Sequence, residues 1–364
     1  MKTAKAILVN LEKKIKYSHC KKINREKTKK YFAKNKFSSI DKDFLESIQK
    51  RWKPYGIKID PLRLQVYINI NGNYDINYIH EETYKYLIEP ILSPNRYSST
   101  IYQNKSMIDL LAHVFPEIPK ALFPKNIIRS IEGVNYDVNF QRLLNIDFLK
   151  FTDDKLVFKK SLDTGGGRDV FIFHKKGDCY FTKDGRSIFD TIKNNVNFIV
   201  QEYINQHESL KILNATSLNT IRIITLRRMN EEIVVLHSFL KIGEPGNEID
   251  NQGLNSGFIY VNSDGTLDNT FLMRNGEILQ SKFSATTMLK FDDIIKHAKT
   301  IASRFYFHRI IGFDFSLDDK GMVKLIEINP HGLNPEVSNM LKGSIFDKYT
   351  DEVMEYVYNK LSSY

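Results

Sequence analysis

The chain has 364 residues, of which 42% are hydrophobic and 12% aromatic, and its formal net charge at pH 7 is +10. This apolar content is enough for a packed core and excludes an intrinsically disordered chain, while the length predicts more than one domain. Cys20 and Cys179 are the only cysteines, so a disulfide framework is excluded. The apolar run at residues 6–9 is too short for a signal peptide, and no later run approaches the roughly 18 residues of a membrane-spanning helix. We therefore expect a cytoplasmic protein.

The positive charge is concentrated in the N-terminal segment. Residues 1–60 contain 18 Lys and Arg but only six Asp and Glu, and the remainder of the chain is close to neutral. Such a segment would suit an anionic membrane surface or a lipid-linked glycan, although a solvated helix face is the plainer interpretation. No recognisable nucleic-acid-binding module accompanies the charge, so we expect no nucleic-acid partner.

The predicted elements change character along the chain. Apolar residues at helical spacing predict helices within residues 1–60, followed by a strand-like run at 65–70 and further helices near 81–91, 107–115 and 139–149. Runs rich in Val, Ile, Phe and Tyr then predict strands at 155–158, 170–174, 198–203, 220–227, 233–240, 258–261, 310–317 and 323–328. Helices at 283–305 and 348–361 would pack on the resulting sheet. The fold class is therefore α+β, with a helical, basic N-terminal lobe followed by an α+β body.

A lysine and a glycine-rich turn form the first chemical motif. Lys159 ends a predicted strand, and Thr164-Gly165-Gly166-Gly167 follows it. Glycines allow the backbone to approach phosphate oxygens, and successive N–H groups form an anion nest. The segment does not fit the Walker pattern, because no Gly-Lys-Ser/Thr follows the glycines. Taken alone, it is also typical of a hairpin turn.

A second candidate contact lies at the exit of the strand predicted at 198–203. Gln201-Glu202-Tyr203-Ile204 would present backbone donors and acceptors of the kind that an adenine ring requires. A buried strand with a surface glutamate is the alternative interpretation.

Two carboxylates and an amide form the third motif. Asp314 lies within the strand predicted at 310–317, while Glu327 and Asn329 share one face of the next strand because side chains alternate along a strand. The Asp-Asp-Lys-Gly segment at 318–321 predicts a turn, so the two strands would form a hairpin that brings these side chains together. Such oxygen ligands suit Mg²⁺, and an edge-strand salt bridge is the alternative. Together the three motifs predict a site for ATP and Mg²⁺.

The order of these motifs resembles the ATP-grasp superfamily, and most closely the sugar-transfer-associated ATP-grasp proteins found with bacterial surface-polysaccharide genes. Three further segments support the resemblance: Asn104-Lys105, Gln206-His207 with Ser217-Leu218-Asn219-Thr220-Ile221-Arg222, and Asp250-Asn251 ahead of Asn255-Ser256-Gly257. The chain departs from the family's pattern at four positions: Lys160 replaces a proline, Asp169 a loop glycine, Asn104 an aspartate and Ser256 a glycine.

The resemblance implies the ATP-grasp fold, in which two α+β subdomains enclose ATP. It predicts a helical lobe at 1–100, an N-terminal subdomain with the glycine-rich loop at 101–200, and a C-terminal subdomain with the magnesium site at 201–364.

The resemblance also implies an ADP-forming ligase that makes an amide from a carboxylate and an amine through an acyl phosphate. Arg222 and Lys159 would be catalytic, and Asp314, Glu327 and Asn329 would bind magnesium. The implied ATP contacts are Lys105, Lys159, Thr164, Gly165, Gly166, Gly167, Gln201, Glu202, Tyr203 and Ile204. The candidate substrate contacts are His207, Asn219, Lys241, Asp250 and Asn251.

The expected substrate is an acidic sugar of a capsule or O-antigen precursor, condensed with an amino acid or amino alcohol. Two alternatives use the same nucleotide site. One is an ATP-binding regulator or scaffold of a glycan-assembly complex, and the other is a kinase that phosphorylates a sugar hydroxyl.

Overall fold

The computed structural model describes residues 2–94, 104–147, 151–162, 169–248 and 255–362, with side chains from residue 12 onward. The N-terminal part is helical. Its helices are α1 (Lys2–Lys34), α2 (Lys42–Trp52), α3 (Pro61–Asn71), α4 (Glu81–Thr83) and α5 (Glu89–Leu92), and a π-helical turn at Tyr84–Ile88 joins the last two.

Helix α3 corrects the strand predicted at 65–70. Asp60 caps the helix by accepting a hydrogen bond from the Leu62 N–H at 3.1 Å, Pro61 occupies the first turn, and Gly72 ends it in the left-handed conformation. Alternating β-branched residues, Val66, Ile68 and Ile70, suggested a strand. The two end signals decide the local structure because they satisfy the helix-terminal backbone groups.

Helix α1 places its basic residues on the outside. Cys20, Asn24 and Thr28 are buried at four-residue spacing, which defines the packed face of the helix. Its exposed lysines include Lys13, Lys14, Lys16, Lys22, Lys27, Lys29 and Lys30. Within the described ranges no helix is both long enough and apolar enough to cross a membrane.

A six-stranded antiparallel sheet follows, in the order β2-β1-β6-β3-β4-β5. Its strands are β1 (Asn126–Ile131), β2 (Val134–Tyr136), β3 (Lys155–Lys160), β4 (Val170–Lys176), β5 (Cys179–Phe181) and β6 (Phe198–Glu202). Helix α6 (Leu111–Val114) precedes this sheet, and α7 (Ile188–Lys193) packs at its side. The sequence did not predict β1, β2 or β5.

The helix predicted near 139–149 is wrong over its described part, 139–147. The Asp137 carboxylate accepts hydrogen bonds from the N–H groups of Asn139 and Gln141, both at 2.8 Å. Phe140 has a φ of 60° between them. This local turn competes successfully with a helix because it satisfies the same backbone donors.

A seven-stranded antiparallel sheet contains the C-terminal motifs, in the order β11-β10-β9-β8-β7-β12-β13. Its strands are β7 (Thr220–Arg227), β8 (Ile233–Ile242), β9 (Gly257–Val261), β10 (Leu267–Met273), β11 (Ile278–Gln280), β12 (Ile310–Leu317) and β13 (Val323–Asn329). The accompanying helices are α8 (Glu208–Lys211), α9 (Phe291–Ala302), α10 (Pro335–Leu341) and α11 (Thr350–Ser362). The bounds predicted for β7 and β12 are confirmed, whereas β10 and β11 were not predicted and α9 is shorter than expected.

Apolar cores cover both faces of this second sheet. On one face, Ile221, Ile223 and Phe313 pack with residues of α9. On the other face, Ile224 and Phe239 belong to the same core as residues of α2, α3 and α11. The N-terminal helices therefore help to bury one face of the sheet that contains the candidate site. The predicted domain boundaries stay a prediction.

Candidate active site

Strand register brings three charged residues onto one face of the seven-stranded sheet. Asp314 lies opposite Arg222 on β7 and opposite Glu327 on β13. Side chains of directly opposed residues point to the same face, so the hairpin predicted from the sequence does bring Asp314 beside Glu327. Asn329, two residues further along β13, lies opposite Gly312.

A Cβ atom at Gly312 would lie 2.5 Å from Leu333 Cδ2, so glycine allows the segment after β13 to pack closely.

Asp314 is the centre of a buried charge cluster. Arg222 donates from Nε and Nη2 to its two carboxylate oxygens, each at 2.7 Å, and Lys241 Nζ donates to Oδ2 at 3.0 Å. Asp314 and Lys241 are only 2% and 3% exposed. Burial alone would raise the pKa of Asp314, but the Arg222 guanidinium and the Lys241 ammonium hold that pKa well below its ordinary value. The carboxylate is therefore ionised at neutral pH and fixes the orientation of Arg222.

A second ion pair connects the two sheets. Lys105 Nζ lies 3.2 Å from Glu327 Oε1, and the Lys105 backbone N–H donates to the carbonyl of Ser161 at 3.0 Å. Ser161 directly follows β3, so Lys105 bridges the end of β3 and the middle of β13. The predicted phosphate lysine and the predicted magnesium ligand are thus in direct contact.

A small cleft lies between the sheets at this point. It brings together Lys105, Lys159, Gln201 and Glu327, and its other lining residues are Ile108, Asp109, Phe123, Pro124, Asn126, Ile199, Leu325 and Ile326. Lys159 is opposite Ile199 in the β3–β6 ladder, and Val157 is opposite Gln201, so Lys159 and Gln201 share one face of the first sheet. Two lysines beside a carboxylate suit the phosphates of a nucleotide together with a divalent cation.

The predicted adenine segment is joined to the beginning of β1. Glu202 both donates its N–H to the Lys125 carbonyl and accepts the Lys125 N–H on its side chain, each at 3.0 Å. Gln201 Nε2 donates to Asn126 Oδ1 at 2.8 Å, and Lys155 Nζ lies 4.7 Å from the Tyr203 ring centroid. These contacts hold the side chains of Gln201, Glu202 and Tyr203 in defined orientations. Recognition of adenine by residues 201–204 stays a prediction.

Two predicted substrate contacts have protein partners. His207 caps α8, accepting the Ser209 N–H at 3.2 Å. The Asn219 amide is fully buried and donates to Gln206 Oε1 at 3.0 Å and to the carbonyls of Leu210 and Asn214. In this structure the Gln-His and Ser-x-Asn motifs fold the segment that leads into β7. A substrate role for His207 and Asn219 stays a prediction.

The predicted glycine-rich loop residues, Thr164 to Gly167, lie outside the described residues, as do Asp250 and Asn251. The base of the loop is described. Lys160 Nζ lies 3.2 Å from Asp169 Oδ1, so two of the four departures from the family's pattern form an ion pair with each other. Asp169 has a φ of 58°, a left-handed conformation that glycine would adopt at little cost. At the position where the family has a glycine, this chain therefore has an aspartate that is paired with Lys160.

The donor set at Asp314, Glu327 and Asn329 fits magnesium by its chemistry. It offers two carboxylates and an amide oxygen on neighbouring strands, which are hard ligands of the type that Mg²⁺ prefers. The amide nitrogen of Asn329 lies 3.4 Å from Asp314 Oδ2, which leaves the amide oxygen as the ligand atom. Across the described part of the chain, no group of three or more His, Cys, Asp and Glu residues could hold a metal ion. Arg222, Lys241 and Lys105 occupy the carboxylates in this structure, so a metal would compete with them.

A larger cavity of about 610 Å³ adjoins the charge cluster. Arg222 and Lys241 line it together with residues from both ends of the chain: Asn24, Lys27, Thr28, Tyr31, Val66, Tyr67, Glu81, Ile224, Phe239, Phe258, Leu272, Met273, Arg274, Leu333, Asn334, Glu336, Val337 and Met340. Of these, sequence reasoning identified only Arg222 and Lys241 as site residues. The others form no contiguous motif, because they come from eight different helices and strands and the loops between them.

Comparison with solved structures gives remote matches. The VanG D-Ala:D-Ser ligase from Enterococcus faecalis is 13% identical, with a TM-score of 0.43 over 73% of this chain and 64% of that one. D-alanine–D-alanine ligase from Bacillus anthracis is 13% identical, with a TM-score of 0.38 over 73% of this chain and 69% of that one. The ADP complex of PurK, an N5-carboxyaminoimidazole ribonucleotide synthetase, is 14% identical, with a TM-score of 0.38 over 65% of this chain. The present chain spans about half of that structure's length, 46%.

Comparison of the sequence with protein-family profiles identifies the family more specifically than the structural matches do. No curated protein matches the chain. The profile of the sugar-transfer associated ATP-grasp family, however, matches residues 126–347, which include both sheets and all three residues of the Arg222–Asp314–Lys241 cluster. The chain therefore belongs to the sugar-transfer associated ATP-grasp family.

Proposed function

We propose that this protein is an ATP-dependent ligase that joins a carboxylate to an amine through an acyl phosphate and releases ADP. One observation carries the proposal: the Arg222–Asp314–Lys241 cluster borders the 610 Å³ cavity and adjoins the Lys105–Glu327 pair of the small cleft. Lys105 can therefore bind a phosphate in the small cleft, while Arg222 and Lys241 can bind an organic acid in the neighbouring cavity.

In the first half-reaction, an oxygen of the substrate carboxylate attacks the γ-phosphorus of ATP. A new P–O bond forms, the bond between the γ-phosphorus and the β,γ-bridging oxygen breaks, and ADP leaves with the electron pair. Lys105 and Lys159 hold the nucleotide phosphates, and residues 201–204 receive the adenine. Catalysis here depends on positioning and charge neutralisation rather than on a protein nucleophile.

In the second half-reaction, a neutral amine attacks the acyl carbon. A C–N bond forms, the C–O bond to phosphate breaks, inorganic phosphate leaves with its electron pair, and the amine nitrogen loses one proton to solvent. Arg222 stabilises the transferring phosphoryl group and then the tetrahedral oxyanion. Its bidentate pair with Asp314 orients it for this role before substrates bind.

Asp314, Glu327 and Asn329 would hold Mg²⁺, which neutralises charge on the β- and γ-phosphates when bound. Phosphates and carboxylates compete for the same side chains, Lys105 and Arg222. Nucleotide binding would therefore draw these cations away and release carboxylate oxygens for the metal.

For the substrates, we propose an acidic sugar of a capsule or O-antigen precursor, amidated in the cytoplasm by an amino acid or amino alcohol. The family's association with sugar transfer supports the sugar, and the cations at the cavity support its acidic group. Regulation of a glycan-assembly complex and phosphorylation of a sugar hydroxyl remain the competing functions, and the following assay separates them.

The test measures ADP release with ATP, Mg²⁺ and a panel of uronic acids, each with and without mixed amino acids. Mass spectrometry then searches for a product lighter by one water than the acid and amine together. An amine-dependent product of this mass is expected. A phosphorylated sugar formed without amine would instead identify a kinase, and nucleotide binding without turnover across the panel would favour the regulator.

Replacement of Glu327 by Gln tests the metal assignment within this assay. We expect Glu327→Gln to abolish ATP turnover while its melting temperature stays close to that of the wild type. Asp319→Asn is the matched control, because Asp319 is an exposed carboxylate at the turn of the same hairpin. Turnover by Glu327→Gln at the wild-type rate would exclude Glu327 as a metal ligand.

A further inference from the structure

We propose that the 610 Å³ cavity is the acid-substrate site and that it accepts an acid bearing an apolar group, specifically a uronic acid glycoside with an apolar aglycone. This inference rests on the proposed function and deepens it by specifying the class of acid. Its first support is position, because Arg222 and Lys241 line the cavity and also hold Asp314. A carboxylate bound at these cations would lie beside the proposed phosphate site.

The size of the cavity favours a ligand larger than a single sugar. Cavities that bury drug-sized ligands have volumes of roughly 300–1,000 Å³, and this one, at about 610 Å³, lies within that range. A lone uronic acid would leave much of the space to water. A second group attached to the sugar would fill it.

The residues that line the cavity indicate the chemical character of that second group. Much of it is hydrocarbon and aromatic surface, contributed by Val66, Ile224, Phe239, Phe258, Leu272, Met273, Leu333, Val337 and Met340. Methionines adapt to irregular shapes, and apolar surface gains free energy when a ligand removes it from water. This wall therefore favours an apolar aglycone over a second charged or purely polar sugar.

The basic N-terminal helix closes one side of the same cavity. Asn24, Lys27, Thr28 and Tyr31 of α1 all line it, and Asn24 and Thr28 are buried there. Lys27 is exposed and adds positive charge to that side. The N-terminal segment therefore contributes directly to the acid site, in addition to its exposed basic face.

The test compares three probes on the full chain by isothermal titration calorimetry, with Mg²⁺ and the non-hydrolysable nucleotide AMP-PNP. The probes are p-nitrophenyl β-D-glucuronide, D-glucuronic acid, which lacks the apolar group, and p-nitrophenyl β-D-glucoside, which lacks the carboxylate. We expect the glucuronide to bind at least about tenfold more tightly than either of the others, because only it engages both the cations and the apolar wall. Equal affinity for glucuronide and glucuronic acid, or no binding of either, would overturn the proposal.

A variant that fills the cavity provides the second test. Val337→Phe should weaken glucuronide binding by about tenfold or more without changing AMP-PNP affinity, because the larger ring occupies the space of the aglycone. The matched control is Val196→Phe, at an exposed valine remote from the cavity lining. Unchanged glucuronide affinity in folded Val337→Phe would contradict the assignment. Failure of AMP-PNP to bind the wild type would instead count against the proposed function, so the two failures are distinguishable.

Discussion

The two sheets place charged residues in different surroundings. In the seven-stranded sheet, apolar cores cover both faces, and Asp314 and Lys241 are almost fully buried in mutual contact with Arg222. In the six-stranded sheet, a small core of eight buried residues covers one face, and Lys159 is half-buried on the face toward the cleft. The first arrangement fixes the orientation of the proposed catalytic residue Arg222, and the second leaves the proposed phosphate ligand Lys159 accessible.

This difference has an energetic reason. A buried carboxylate is tolerable only with its cations in place, so the packing that buries Asp314 also fixes Arg222. A half-buried lysine remains partly hydrated, so its removal costs the fold less than the removal of a buried charge. The contrast predicts that substitution of a buried charged residue such as Asp314 affects both stability and activity, whereas substitution of the half-buried Lys159 affects mainly activity.

The largest expected effect is that of Asp314→Asn. The change leaves Arg222 and Lys241 without their counter-charge and should lower the free energy of unfolding by about 3–5 kcal/mol, as breaking a buried ion pair does. ATP turnover should be lost as well. Urea denaturation and ADP release measure the two effects, and a variant with wild-type stability would show that the cluster does not constrain the fold.

Lys159→Ala is the corresponding substitution in the six-stranded sheet. Loss of one phosphate contact should lower ATP turnover by roughly 100-fold. The free energy of unfolding should change by no more than about 0.5 kcal/mol, as is usual outside tightly packed sites. A destabilisation as large as that of Asp314→Asn would remove the contrast between the sheets.

An effect on stability alone, and one that depends on pH, concerns Glu89 in α5, whose carboxylate accepts the N–H of Gly332 just after β13 at 2.8 Å. Burial raises the pKa of Glu89 to about 7, although hydrogen bonds from Gly332 and Leu333 partly oppose this. Between its ordinary pKa and 7, the folded protein binds more protons than the unfolded one, so wild-type stability falls as pH rises through this window. Glu89→Gln does not titrate, and it should become more stable than the wild type by up to roughly 3 kcal/mol between pH 5 and 8.

Melting temperatures of both proteins at pH 5, 6, 7 and 8 measure this difference. Asp314 does not contribute to it, because above pH 5 its lowered pKa keeps it ionised in the folded chain, and the ordinary pKa of an aspartate keeps it ionised in the unfolded chain. A difference between the two proteins that stays constant with pH would contradict the account of Glu89.

Local patterns predicted some elements better than others. Strands β7 and β12 were predicted at their observed bounds because each is an eight-residue segment rich in β-branched or aromatic residues, in which polar residues occur singly along most of its length. The segment 65–70 has a similar composition but is helical, because its end signals at Asp60 and Gly72 determine its backbone. Strand β1 went unpredicted, since Arg129 and Ser130 interrupt its apolar pattern although both are buried in the structure.

The sequence by itself determined the family, the strand pair that carries Asp314, Glu327 and Asn329, and the residue types that a nucleotide site needs. These features are local, because spacing along one strand or turn fixes which side chains share a face. Only the tertiary structure decided that Asp314 pairs with Arg222 and Lys241, that Lys105 reaches Glu327, and that α1 and α10 enclose the 610 Å³ cavity. Such contacts join residues that are far apart in the chain, and strand order and packing bring them together where no sequence period can indicate it.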